Sequence, residues 1–167
     1  MRNALLATCV LLTAAPALAA EEPSGCDKFK WPIEHERAAL TAPDRVKLAS
    51  GAELAILATG MTFALVAPAA AKLPSPPERA PKDGTFAGFA SFKAPAKAGL
   101  YTISLSAGAW IDLVHDGHNL KPKAFSGATD CDGIRKTMKY ELSAAPFVLQ
   151  ISGARDNALS VAILPAE

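Results

Sequence analysis

The amino-acid sequence predicts an all-β fold: a single β-sandwich or jelly-roll-like domain with one short N-terminal helix. Three observations carry that prediction. Apolar residues alternate with polar or small ones over much of residues 45–167, the period of strands with one buried face. Turn chemistry interrupts these runs at short intervals, as in sandwiches and partly closed barrels. A helical period is confined to residues 31–40.

In chain order, residues 1–20 come first. Arg2 is followed by an apolar run from Ala4 to Leu18 and by small residues at 19–20, the three parts of a secretory signal peptide. The run is short for a bilayer span and is followed by Glu21 and Glu22, so no membrane anchor is expected after cleavage. Thr8 before Cys9, and Pro23 with the acidic pair before Cys26, match a lipoprotein signal poorly. Residues 21–44 form a loose leader and the helix. Pro32 suits a first helical turn, acids follow, Ile33, Arg37 and Leu40 share a side, and Pro43 stops the helix.

Residues 45–167 form the sandwich. Leu54, Ile56 and Ala58 alternate up to a break at Thr59-Gly60, and the run resumes at Met61. Five prolines between Pro68 and Pro81 exclude both helix and central strand, leaving an extended crossing between sheets. A strand follows over residues 85–93. Tyr101, Ile103 and Leu105 alternate with Thr102, Ser104 and Ser106, a strand with one buried face. Asp116-Gly117 between residues 110–115 and 118–121 is a two-residue hairpin signal. Further alternation around Tyr140, Leu149 and Val161 brings the count to about eight or nine strands.

Bulk properties bound the partners. Removing residues 1–20 takes away only Arg2, so 17 basic residues become 16, against 16 acidic. A mature charge near zero with no basic run argues against nucleic acid. Cys26 and Cys131 are the thiols left in the mature chain, and in an oxidising compartment they are expected to form one disulfide. They lack the Cys-x-x-Cys spacing of redox sites.

No catalytic signature is present: no Gly-x-Ser-x-Gly, phosphate-binding loop, His-Glu-x-x-His or dinucleotide fingerprint. Candidate chemistry is therefore local. His115 and His118 flank the Asp-Gly turn, so their Cβ atoms should lie about 5 Å apart, close enough to share a divalent metal. Otherwise they are simply a solvated hairpin tip. Asp112, in an apolar strand beside Trp110, should pair with a backbone group or with Arg135 or Lys136. Alternatively it faces a cleft, where an indole beside a carboxylate suits a glycan. Residues 130–136 lack the calcium-loop pattern and look like a turn pinned by the bridge.

Around Gly99-Leu100-Tyr101-Thr102-Ile103-Ser104-Leu105, Ala109-Trp110-Ile111-Asp112-Leu113-Val114 and Thr129-Asp130-Cys131-Asp132-Gly133-Ile134-Arg135-Lys136, the chain resembles a group of small exported alphaproteobacterial proteins. The likeness includes Cys26-Asp27-Lys28-Phe29 and Ala87-Gly88-Phe89. Some members carry the label homogentisate 1,2-dioxygenase, which would imply a cupin site with two histidines and a glutamate on non-haem iron. No His-x5-Glu-x-His-like constellation occurs here.

The expected function is a non-enzymatic periplasmic or secreted binding or accessory protein with no cofactor. Its partner would be a small molecule, a glycan or an envelope protein, met at Trp110, Asp112, Arg135 and Lys136. A metal-dependent enzyme using His115 and His118 is the alternative, and a structural envelope protein the second.

Overall fold

In the computed structural model, residues 21–55 and 60–166 are described. The expected export segment, and the part of the second-strand alternation at Ile56 and Ala58, lie outside them. A 3-10 turn, Cys26–Lys28, precedes helix α1, Glu34–Thr41. Eleven strands follow: β1 Val46–Ala49, β2 Ala52–Leu54, β3 Met61–Ala64, β4 Phe86–Phe92, β5 Gly99–Leu105 and β6 Trp110–His115. Then come β7 His118–Leu120, β8 Ala124–Gly127, β9 Lys136–Leu142, β10 Phe147–Ala154 and β11 Ala158–Pro165. A second helix, α2, is the single turn Pro68–Ala71.

The strands form two sheets, ordered β1-β3-β11-β5-β9-β8 and β2-β4-β10-β6-β7. Within them, β3-β11-β5-β9 faces β4-β10-β6-β7, the strand order of a jelly roll, in which successive strands alternate between sheets except at the β6–β7 hairpin. β1, β2 and β8 extend the edges. β1 and β2 pair parallel with β3 and β4, and the other ladders are antiparallel. Aliphatic and aromatic side chains of both inner faces close the core, with Met61, Phe63, Ile103, Leu113, Leu149 and Ile163 fully buried.

The β6–β7 hairpin forms where Asp116-Gly117 predicts it. Both residues take positive φ, 48° and 75°, as a mirror-image two-residue turn requires, and His115 faces His118 across the ladder.

Four expectations need correction. Pro68 opens a helical turn because the first helical position needs no N–H; the extended crossing begins only after it. The buried stripe of α1 is Ile33, Glu36 and Leu40, with Arg37 on the exposed side, its guanidinium Nε donating to the Asp132 carbonyl at 2.6 Å. The leader is not loose. Gly25 N–H donates to Thr129 O, and Thr129 N–H to Pro23 O, each at 2.8 Å, and Cys26 is bridged to Cys131.

Finally, β5 is buried on both faces. Thr102 and Ser104 are 1 % and 0 % exposed, because α1 lies over that side. There Ile33 and Leu40 pack with Cys131, Ile134 and Ala162 in a second cluster. Small side chains let the helix approach, and the Ser104 hydroxyl is satisfied by Thr137 Oγ1 at 3.0 Å.

The proline-rich crossing closes the outer face of the other sheet in a similar way. Gln150, fully buried on β10, accepts from Ser75 N–H at 2.8 Å and donates to Ser75 O at 3.1 Å. Its cross-strand neighbour Asp112 accepts from Glu78 N–H at 3.3 Å. Two polar side chains in the sheet thus strap down a segment whose prolines leave it few N–H groups of its own.

Candidate functional site

β6 extends beyond β7. Only Leu113, Val114 and His115 pair with β7, so Trp110, Ile111 and Asp112 lie along an open edge. Opposite them, in the other sheet, β9 carries Lys136, Met138 and Tyr140 on its core-facing side, where Met138 and Tyr140 stand across from Ile103 and Tyr101. The gap between the sheets at this edge is a cleft of about 330 Å³. Its apolar walls are Leu120, Pro122, Phe125 and Met138; its polar groups are Asp112, Lys136, Tyr140 and the Glu78–Lys121 ion pair. Phe125, 60 % exposed, stands at the mouth, with the Lys30 ammonium 5.2 Å from its ring centre.

Asp112 is 3 % exposed. Its Oδ1 accepts from the Trp110 indole N–H at 2.8 Å, and its Oδ2 takes the Glu78 amide. Its partners are therefore an indole and a backbone N–H rather than Arg135 or Lys136. Burial raises its carboxyl above the usual range, against the pull of those two donors, while the nearby Glu78 charge raises it further.

Trp110 lies beneath two cations, Arg79 with its guanidinium carbon 5.9 Å from the ring centre and Lys136 with its ammonium at 5.6 Å. A second hollow of about 420 Å³ continues the cleft past Trp110, Phe125 and Lys136 to Arg79 and Arg135. Arg135 pairs with Glu22. Among the described residues no carboxylate lies within ion-pair distance of Arg79 or Lys136. Burial lowers the Lys136 ammonium from its ordinary value, and the charges of Arg135 and Arg79 lower it further.

Tyr140 is 2 % exposed, and among the described residues its hydroxyl donates to Met138 Sδ alone, at 4.0 Å, a weak acceptor. Burial, then the negative charges of Asp112 and Glu78, push its phenol up to about 12. The chain has two tyrosines, so an ultraviolet titration resolves this group. One phenol's share of the phenolate absorbance should develop only near pH 12, and Tyr140→Phe should remove that late step. The sign for stability follows from a raised acidic pKa: the contribution is present below pH 10 and is lost as pH climbs towards 12. A titration with no late step, or one in which Tyr140→Phe leaves the late step in place, would contradict the buried placement.

No family model and no curated protein matches the chain. What the cleft can do is therefore carried by its own atoms.

Of the residues singled out in the sequence, Trp110, Asp112, Arg135 and Lys136 meet on this one groove. His115 and His118 stand at the hairpin tip and line neither hollow. His115 Nε2 is 3.0 Å from Ser143 Oγ, and its Nδ1 is 3.3 Å from Asp116. Among the described residues no group of three or more His, Cys, Asp or Glu side chains is arranged to hold a metal ion. Tyr140, Phe125, Arg79 and the Glu78–Lys121 pair are members of the site that sequence reasoning missed. One signal was available: Tyr140 shares the parity of Lys136 and Met138, which puts it on the same row as a lysine already singled out.

Proposed function

We propose that this is a small exported binding or accessory protein, non-enzymatic, that holds a small molecule in the cleft between β6 and β9. The observation that carries the proposal is the cleft itself. It is a concave, mainly apolar site with a few convergent polar groups, the general form of small-molecule sites. The Asp112 carboxylate is already engaged by two N–H donors, which suits a fixed binding wall better than a proton-transfer group. A glycan is less suited, because the indole face that a sugar ring would stack on lies under Arg79 and Lys136.

The periplasm, or secretion, is proposed on the apolar run after Arg2 together with the Cys26–Cys131 bridge, which belongs to an oxidising compartment. Among the described residues no helix is long and apolar enough to cross a membrane.

The test uses N-phenyl-1-naphthylamine, a neutral apolar fluorophore, titrated into the processed protein. Saturable binding is expected. Phe125→Asp, which sets a charge on the exposed wall at little cost to folding, should weaken binding about tenfold by removing apolar contact. Absence of saturable binding, or indifference to Phe125→Asp, would remove the cleft as a ligand site.

A further inference from the structure

We infer that the ligand is an amphipathic anion, its apolar body against Leu120, Pro122, Phe125 and Met138 and its oxyanion group beside Trp110 between Lys136 and Arg79. This deepens the binding role proposed above and rests on it.

Three cations, Arg79, Arg135 and Lys136, line the second hollow, and Lys136 lines the cleft as well. Among the described residues only Arg135 of the three has an acidic partner within ion-pair distance, Glu22. Lys136 projects from the core-facing side of β9, and a partly buried ammonium without a counter-charge is costly to the fold. Cation–π contact with Trp110 offsets only part of this. An anion bound there would supply the missing charge and form charge-assisted hydrogen bonds, roughly twice as strong as neutral ones.

The acidic wall of the cleft adjoins this site, since Asp112 accepts from the Trp110 indole. Glu78 is neutralised by Lys121, and both Asp112 oxygens accept N–H groups, so the acidic wall repels an anion weakly. The rest of the cleft wall is hydrocarbon, with the Tyr140 hydroxyl on the Met138 thioether. A ligand charged at one end and apolar over its length matches this order of surfaces. Arg79 belongs to the strap, and Lys136 to β9 on the other sheet. The anion would therefore bridge two elements that both place a cation over the same indole.

The discriminating pair is 1-anilinonaphthalene-8-sulfonate and N-phenyl-1-naphthylamine, which share an aromatic skeleton and differ in the sulfonate. In low-salt buffer the sulfonate dye should bind about tenfold tighter or better, the contribution of a charge-assisted contact. Lys136→Met keeps the aliphatic stem and Arg79→Gln alters an exposed position; each should bring the ratio of the two affinities towards one. If Lys136→Met fails to fold, Arg79→Gln and the salt dependence of the ratio decide. Equal affinities, or a ratio that neither substitution nor salt changes, would overturn the anion while leaving an apolar binding cleft. Saturable binding of neither dye would bring down the cleft and the inference together.

Discussion

Replacing Cys26 and Cys131 together by serine should lower the unfolding free energy by about 4 kcal/mol, the chain-entropy expectation for so long a closed loop. The two residues are 105 apart in sequence, so the bridge restrains most of residues 21–167 in the unfolded state. A urea titration should show the midpoint moving down with only a modest change in slope, since the folded surface is little altered. The native-state consequence is local. The bridge fixes the 3-10 turn against the loop that carries Cys131, beside the cluster of Ile33, Leu40, Ile134 and Ala162. Without it, amide exchange should quicken first around Gly25 and Thr129, whose backbone groups bond each other. It should leave β10 nearly untouched. Unchanged midpoints in the oxidised parent and the double variant would mean that the bridge adds nothing to stability.

How much of this was legible in the chain depended on how local the signal was. The β6–β7 hairpin was legible because Asp116-Gly117 specifies a turn within two residues. The all-β, sandwich-like class was legible because β5, β9, β10 and β11 each keep a period of two. The strand Ala124–Gly127 was not, since Ala, Ser and Gly have little strand preference and it forms only by pairing with β9. The burial of Thr102 and Ser104 was also hidden. A hydroxyl row reads as solvent-facing until a helix is known to cover it, and α1 comes from a segment far back in the chain.

The site divides along the same line. Trp110 and Asp112 are neighbours on one strand, and Arg135 with Lys136 on the approach to another, so local reading could propose them. Their convergence depends on the stacking of two sheets. Arg79 and Glu78 reach the site through the strap, and the contact that places them, Glu78 N–H on Asp112, spans 34 residues. No local period encodes such a meeting. It follows instead from Gln150 and Asp112 needing partners on the outer face of their sheet.

The approach of α1 to the sheet makes the second large prediction, at Gly60. A Cβ placed on this buried glycine would sit 1.8 Å from the Ala39 carbonyl oxygen and 2.7 Å from its carbon. Both are backbone atoms, so no rotamer change relieves the clash; the last turn of α1 must move away from the entry to β3. Leu40, the next residue, is 2 % exposed in the cluster beneath the helix, so such a shift would also open that cluster. Gly60→Ala should therefore cost about 3 kcal/mol or more, a fall in melting temperature of roughly 10 °C for a domain of this size. Gly108→Ala is the matched control. Its Cβ would meet nothing within 4 Å and its φ is not in the left-handed region, so its effect should stay within about 0.5 kcal/mol. Gly133→Ala should fall between them. Its φ of 83° is unfavourable for alanine, but the closest atom, 2.5 Å away, is the Thr41 methyl, which can rotate. Calorimetric melts of the three variants should rank them in that order. A Gly60→Ala protein that melts no lower than Gly108→Ala would mean that the helix does not rest on the sheet at this distance.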